Sequence, residues 1–284
     1  MTANPRMSLN QATIKRASLA DALAVTTDAG ICSIGLWREP VVQLGLDESV
    51  RRVADSGLRI SSVCRGGFFT AGPGALRAHA LDDNRRAITE TAALAAAGAP
   101  GSAAVLVLVA GGLPAGSRDL AGARSRVHDA IGELEGEARS AGVTLAIEAL
   151  HPMYAADRAV VSTLAQAIDI AEQFDRATVG VVVDSFHLWW DPNLLEQISR
   201  AGRGGRIASY QVSDWVTPLP ANVLMARGYM GDGHIDFAPM TRAVLDAGYQ
   251  GDVEVEIFNQ QVWDADPREV AAHTAASFRR HVPL

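Results

Sequence analysis

The sequence contains few cysteines and none of the cysteine pairs that would suggest a redox or thiolate site. Only Cys32 and Cys64 occur in 284 residues, and no CxxC motif is present. Both lie in apolar runs, ICSIGLW and ISSVC. Cysteine is among the most often buried residue types, and cytoplasmic thiols stay reduced. Two buried, reduced thiols are therefore expected.

Segments for secretion, for a membrane or for nucleic acid are also missing. The N-terminus MTANPRMSLN lacks the apolar centre of a signal peptide, and no apolar run reaches the roughly 18 residues of a membrane span. The net charge is −7 and no run of Lys and Arg occurs, whereas phosphate binding requires a basic surface. These absences predict a cytoplasmic protein with a small polar ligand and with neither a membrane nor a nucleic-acid partner.

What the sequence does contain is a regular alternation of strand-like and helix-like segments. Short apolar or β-branched runs alternate with Ala-, Leu-, Arg- and Glu-rich stretches of helical periodicity, which indicates repeated βα units and a parallel sheet. The predicted strands are 7–12, 31–36, 58–64, 104–109, 143–148, 179–184, 207–212 and 253–258.

Eight βα units in about 250 residues are typical of an α/β protein of the (β/α)8 TIM barrel type. A doubly wound sheet is the alternative, but no GxGxxG turn follows the first predicted strand. No low-complexity linker interrupts the series. The sequence therefore predicts one TIM-barrel domain over 1–284, with 1–6 as a flexible tail.

Polar side chains lie at the ends of the last four predicted strands. These are Glu148, Asp184, Gln211 and Glu256, and barrel active sites lie at the C-terminal ends of strands. Converging carboxylates repel each other unless a cation lies among them, so the set predicts a site for a divalent ion. For any one acid alone, an ion pair with an arginine is an equally good explanation. Glu254 points to the same face as Glu256 but about 7 Å lower, and is expected beneath the site.

Several segments resemble the xylose-isomerase-like TIM barrel family of sugar isomerases and epimerases, also known as sugar phosphate isomerase/epimerase. They are IEALHPMYAADR (147–158), VGVVVDSFHLWWDP (179–192), YQVSDW (210–215), GYMGDGHID (228–236) and VEVEIF (253–258). The resemblance covers nearly the whole chain, including 35–41 and 107–124. In that family Glu, Asp, His and Glu from the last four strands hold a metal ion. Matched by motif, the resemblance implies Glu148, Asp184, Gln211 and Glu256 as ligands.

The sequence departs from the family pattern at Gln211, where histidine is usual. An amide oxygen is a harder ligand than an imidazole nitrogen, which favours Mn²⁺ or Mg²⁺ and leaves Zn²⁺ or Co²⁺ as alternatives. The family also has a histidine three residues after the aspartate. That residue is His187, and the resemblance implies that it contacts a substrate oxygen.

Other residues near the predicted rim are candidates for contacts with a carbohydrate. Trp37 and Arg65 follow the second and third strands, His151 follows Glu148, and Trp215 follows the seventh strand. Aromatic faces pack well against the C–H faces of sugars, and packing of loops beneath the rim is an equally good explanation. No glycine-rich loop or lysine that would hold a phosphate follows the seventh or eighth strand.

The resemblance implies an isomerase or epimerase that moves a proton next to a carbonyl through an enediolate, with Glu148 and Glu256 as acid and base. One alternative is a lyase acting on a 3-oxo sugar or glycoside at the same metal site. Another is a non-catalytic sugar-binding barrel that no longer binds the metal because Gln211 stands in place of the usual histidine. A DNA-repair endonuclease is disfavoured, because more strand-end histidines and a basic face would be needed. Homodimer formation is left open.

Overall fold

The computed structural model describes residues 4–284, and its central feature is a closed barrel of parallel strands. Neighbouring strands pair in chain order, and the last barrel strand closes the barrel by pairing with the first. The barrel strands are β1 (Met7–Asn10), β2 (Ser33–Trp37), β3 (Arg59–Gly67), β4 (Val105–Val109), β5 (Thr144–Glu148), β6 (Val179–Asp184), β7 (Ile207–Val212) and β10 (Val253–Val255). The predicted TIM barrel is confirmed.

Helices lie between successive strands, and a short antiparallel pair follows β7. That pair is β8 (Asp214–Trp215) with β9 (Arg227–Gly228). The α-helices are α1 (Leu19–Asp28), α2 (Arg38–Leu44), α3 (Leu46–Ser56), α4 (Ala75–Ala97), α5 (Leu120–Ala141), α6 (Leu164–Ala171), α7 (Ser185–Leu188), α8 (Leu194–Arg203), α9 (Phe237–Asp246), α10 (Gln260–Asp264) and α11 (Pro267–His281). Single 3-10 turns are formed by Gln11–Ile14, Pro152–Tyr154 and Val223–Ala226.

The first and last barrel strands are shorter than predicted, because polar side chains end them. Asn10 accepts a hydrogen bond from the Ala12 amide at 2.8 Å and begins the 3-10 turn that follows β1. β10 ends at Val255. Glu256 therefore lies just beyond the strand, at the C-terminal end of the barrel.

Two apolar cores form the interior. The larger lies between the strands and the surrounding helices, and the smaller comprises Cys64, Val105, Val107, Ala146 and Val182 inside the barrel. Cys64 is buried as predicted. Cys32 is exposed, so its predicted burial is wrong; it precedes β2 rather than lying within the strand.

Beneath the C-terminal end of the barrel, Glu254 is fully buried and surrounded by hydrogen-bond donors. Its carboxylate accepts from Asn10 Nδ2 (2.6 Å), Ser61 Oγ (2.5 Å), Ser62 Oγ (2.8 Å) and Gln211 Nε2 (3.0 Å). A buried carboxylate is costly unless such donors face it. Glu254 thus ties β1, β3 and β7 to β10 below the candidate site.

The N-terminal segment is described from residue 4 onward. Residues 1–3, half of the predicted flexible tail, lie outside the described residues. Arg6 donates to the carbonyls of Tyr249 and Gly251, at 3.2 and 2.6 Å. Among residues 4–284, none of the helices combines the length and the apolar composition needed to cross a bilayer.

Gly35 on β2 leaves the space that the Glu254 carboxylate occupies. A Cβ atom at this position would lie 2.5 Å from Glu254 Cδ, so Gly35→Ala is expected to lower the free energy of unfolding by about 1–3 kcal/mol. Gly136→Ala, at an exposed position of α5 with nothing within 4 Å, is the control and should raise it by about 0.5–1 kcal/mol. Equal urea midpoints for the two variants would contradict this account.

Candidate active site

The three predicted carboxylates lie at the C-terminal end of the barrel and are buried there. Glu148 ends β5, Asp184 ends β6 and Glu256 follows β10. Their exposed fractions are 6%, 0% and 5%. Glu148 and Glu256 line a cavity of about 160 Å³. The three acids predicted from the ends of the strands therefore lie at the same end of the barrel.

An arginine that the strand-end argument did not predict lies among them. Arg227 is 1% exposed, and its Nη1 donates to Asp184 Oδ2 at 3.0 Å and to Ser213 Oγ at 3.1 Å. Its Nη2 is 3.4 Å from Glu256 Oε2. The guanidinium carbon also lies 4.6 Å from the centre of the Phe186 ring. Asp184 and Glu256 thus form the ion pair with an arginine that the sequence analysis gave as the other explanation for a single acid.

Arg227 reaches the site from a loop, which is why it was missed. It lies on β9, whose pairing with β8 turns the chain back over the end of the barrel. No barrel strand ends near residue 227, and the motif segment 228–236 begins just after it. The one available signal was indirect: three converging acids require a cationic neighbour.

His187 contacts donors on both sides of its ring. Its Nδ1 faces the His151 amide at 3.2 Å, and its Nε2 faces Arg227 Nη2 at 3.0 Å. Burial lowers the pKa of His187 to about 3, so the ring is neutral near pH 7 and has one acceptor nitrogen. The ring therefore accepts a hydrogen bond from only one of the two donors, and the tautomer decides which.

His187 also belongs to the tightest group of ligand atoms at the site. One atom each of Glu148, Asp184 and His187 lie within 4.8 Å of one another. His187 was predicted as a substrate contact, and it does line the cavity. Its geometry adds it to the side chains able to reach a bound ion.

Gln211, the fourth predicted ligand, is held by Glu254. Its Nε2 donates to the Glu254 carboxylate, while its Oε1 is buried and has no hydrogen-bond partner among residues 4–284. A buried acceptor without a donor is rare and costly. A cation facing Oε1 would satisfy it.

The pKa values of the three carboxyls differ according to the cationic group each one faces. Burial, together with the charges of Asp184 and Glu256, raises the pKa of Glu148 well above its ordinary value. Burial raises the pKa of Glu256 to about 7, although Arg227 opposes the shift. For Asp184 burial acts in the same direction, but the charge and hydrogen bond of Arg227, together with the charge and backbone hydrogen bond of His187, outweigh it and the pKa is lowered.

This set of residues fits a divalent cation. Arg227 pairs with Asp184 and Glu256, so ionising all three carboxyls would leave two negative charges uncompensated in a buried region unless a cation were bound. The donors are mainly oxygen atoms, including the unpaired Gln211 Oε1, as hard divalent ions prefer. Charge and donor chemistry therefore agree.

The predicted sugar contacts separate into two groups. Trp37 and Arg65 line the cavity. His151 and Trp215 pack on each other, with ring centres 5.2 Å apart, and Trp215 also packs on Phe186 at 4.7 Å. Neither of these two lines the cavity, so the structure places them in the packing of the rim.

The closed parallel barrel is a TIM barrel, and its cavity lies at the C-terminal end of the strands, where barrels of this class carry their active sites. A family model described as xylose isomerase-like TIM barrel matches residues 21–281. The chain belongs to that family, and the resemblance is confirmed.

Two curated relatives match parts of the chain, and both are named as enzymes. Inosose isomerase of Bacillus licheniformis is 31% identical over 144 residues, which cover 50% of this chain and 49% of that protein. 3-Dehydroshikimate dehydratase of Pseudomonas putida is 32% identical over 120 residues, which cover 39% of this chain and 18% of that protein. The chain spans about half the length of the first relative and less of the second.

A solved structure matches the whole chain. The protein comes from Sinorhizobium meliloti and is 44% identical, with a TM-score of 0.92 over 98% of this chain and 99% of that one. The similarity supports the fold over its full length.

The raised pKa of Glu256 predicts a stability that falls as pH rises in metal-free protein. The ordinary pKa is 4.5 and the folded value is about 7, so between these values the folded state binds more protons than the unfolded state. The free energy of unfolding of wild type relative to Glu256→Gln should fall by roughly 3 kcal/mol from pH 4.5 to 7. Urea titrations with a chelator measure this; parallel pH profiles of the two proteins would contradict it.

Proposed function

We propose that this chain is a metal-dependent sugar isomerase or epimerase that moves a proton next to a carbonyl through an enediolate. The observation that carries the proposal is the set of three buried carboxylates at the C-terminal end of the barrel, two of which, Glu148 and Glu256, line the cavity. The buried oxygen of Gln211 has no hydrogen-bond partner among residues 4–284. Family membership and the partial match to an inosose isomerase support it. The substrate would be a small carbohydrate.

Glu148, Asp184, Gln211 and Glu256 would hold the divalent ion. Oxygen donors favour Mn²⁺ or Mg²⁺, and the nearby His187 keeps Zn²⁺ or Co²⁺ compatible. When bound, the ion supplies Lewis-acid stabilisation of negative charge developing on the carbonyl and adjacent hydroxyl oxygens.

Glu148 and Glu256 are the proposed acid and base. In the barrel order, β6 and β7 separate β5 from β10, so the two carboxyls approach the cavity from different sides. The pKa of Glu256 is about 7 in the metal-free site, and a bound cation would lower it and favour the carboxylate that a base requires. Glu256 would remove the proton, and the carboxyl of Glu148, whose pKa is also raised, would return one.

Arg227 and His187 would hold substrate oxygens. Both line the cavity, and Arg227 Nε is a buried donor without a partner among the described residues. A fixed guanidinium stabilises negative charge that develops during proton transfer. The neutral ring of His187 can exchange hydrogen bonds with a hydroxyl without adding charge.

A lyase is the second candidate, and the match to a dehydratase favours it. The same base would remove a proton beside the carbonyl of a 3-oxo sugar or glycoside, and Glu148 would protonate the leaving oxygen. A non-catalytic sugar-binding barrel is the third candidate. This candidate assigns no role to Glu148 and Glu256, the two cavity-lining carboxyls whose pKa values are raised.

Replacing either proposed proton-transfer residue should abolish turnover while partly retaining metal. Glu148→Gln and Glu256→Gln keep an oxygen ligand but lose the basic site, so turnover should fall about 10²–10⁴-fold. Glu196→Gln, on the exposed side of α8, is the control.

The assay is product-resolved turnover of free ketoses, inososes and 3-oxo glycosides with Mn²⁺, together with solvent-deuterium exchange and elemental analysis. One variant of the pair should still exchange deuterium without completing the product. Near-normal turnover by metal-loaded Glu256→Gln would show that the base lies elsewhere.

Gln211→His should shift the metal preference of the site. Imidazole is a softer donor than an amide oxygen, so the affinity for Zn²⁺ or Co²⁺ relative to Mg²⁺ should rise, by about 10-fold or more. Gln261→His, an exposed position on α10, is the matched control. Calorimetric titrations that gave the same affinity order for wild type and Gln211→His would show that residue 211 does not contact the ion.

A further inference from the structure

A second cavity, of about 740 Å³, opens outward from the catalytic one. The residues that line both cavities form a neck between them: Trp37, Arg65, Arg158, Leu224 and Phe258. Ligand pockets typically have volumes of roughly 300–1,000 Å³, and the inner cavity of about 160 Å³ is smaller than this. A ligand that reacts in the inner cavity therefore has room to extend through the neck into the outer one.

The outer cavity is rich in positive charge, although the chain carries a net charge of −7. Its lining includes one acid, Glu39, against the cations Lys15, Arg16, Arg65 and Arg158. Arg16 is paired with Asp264. The other three cations are the ones available to a ligand.

These three cations keep most of their hydrogen-bond donors free. Among residues 4–284, no hydrogen bond is donated by the side chain of Lys15, Arg65 or Arg158, and the nearest ionic contact is 3.7 Å, between Arg158 Nε and Asp157 Oδ2. Arg158 Nε is moreover buried without a hydrogen-bond partner. The Asp157 carboxylate is too far from Arg158 Nε for a hydrogen bond, and a buried donor without one is costly unless a ligand supplies the acceptor.

Aromatic rings pack against all three cations without using their donors, and Arg158 lies 5.5 Å from the centre of the Tyr154 ring. Arg65 lies over the rings of Trp37 and Phe68, with 5.4 and 5.1 Å to their centres. Lys15 lies 4.6 Å from the centre of the Trp263 ring. A cation stacked on a ring face remains able to donate to an anion. Lys15 is also the single lysine of the chain.

We infer that the outer cavity is a subsite for an anionic substituent of the substrate, a carboxylate or a phosphate ester, distant from the reacting carbon. Lys15, Arg65 and Arg158 form it: Lys15 and Arg158 follow the first and fifth barrel strands, and Arg65 lies near the end of the third. This inference rests on the proposed function for the identity of the reacting end. The subsite itself is defined by the charges and the cavity.

The single lysine allows the subsite to be observed directly. Reductive methylation with ¹³C-formaldehyde labels Lys15 and the N-terminal amine and preserves their charge, and Lys15→Arg identifies the Lys15 signal by its loss. The probes are D-galacturonate against D-galactose and D-fructose 6-phosphate against D-fructose, titrated into the Mg²⁺-loaded full chain. The anionic members should shift the Lys15 signal and the neutral members should not.

Affinities measured by calorimetry give the second readout. The affinity of each anionic probe should exceed that of its neutral counterpart by a ratio of about 10 or more, because hydrogen bonds between charged groups are stronger than those between neutral groups. Arg158→Met and Lys15→Met should each reduce that ratio to about 2 or less. Lys15 lines only the outer cavity, so Lys15→Met should leave the affinity for the neutral probe unchanged. Methionine preserves an apolar stem, and the exposed Lys15 gives a variant whose folding is safe should Arg158→Met unfold.

Arg51→Met removes the same charge from exposed α3, outside both cavities, and should keep the full preference. Equal binding of anionic and neutral probes, an unmoved Lys15 signal, or an equal loss of preference in Arg51→Met would overturn the subsite.

The binding assay does not depend on turnover, so the two proposals can fail separately. If Arg158→Met loses the preference for anionic probes and the wild-type protein turns over none of the sugars, the subsite is supported and the proposed function is overturned. If the wild-type protein turns over neutral sugars efficiently and binds anionic and neutral probes equally, the proposed function is supported and the subsite is overturned.

Discussion

The candidate site depends on one buried ionic arrangement, the guanidinium of Arg227 among Asp184, Glu256 and His187. Three carboxylates could not be buried together at the end of a barrel without a cation, because their mutual repulsion adds to the cost of desolvation. Arg227 compensates part of that charge, and it lowers the pKa of Asp184 while burial keeps that of Glu256 near 7. The charge that remains is what makes the site suitable for a divalent ion.

A polar layer beneath this arrangement determines how the ligands are presented. Glu254 accepts hydrogen bonds from side chains of β1, β3 and β7, and one of these donors is the amide of Gln211. Because Gln211 uses its nitrogen for Glu254, its oxygen is left for the site above. The barrel interior thus serves stability and ligand orientation through the same carboxylate, and Gly35 provides the space for it.

The sign of the charged side chains changes from the inner end of the pocket to the outer end. The carboxyls of Glu148 and Glu256 lie at the inner end, where the proposed proton transfer would occur, and Lys15, Arg65 and Arg158 line the neck and the outer cavity. An anionic substituent would be repelled by the inner acids and attracted by the outer cations. A substrate carrying one would therefore enter in a single orientation, with its neutral end at Glu148 and Glu256.

The sequence by itself determined the barrel and the positions of Glu148, Asp184, Gln211 and Glu256. Apolar runs alternating with helical segments predict βα units, and the ends of parallel strands meet at one face, so residues at those ends come together whatever the loops do. Only the tertiary structure decided the role of Arg227, the packing of His151 with Trp215, and the assembly of Lys15, Arg65 and Arg158 around one cavity. Most of these residues lie in the connections that follow the barrel strands, including the short β8–β9 pair, and the paths of these connections depend on contacts between segments far apart in the chain. No local periodicity records such contacts.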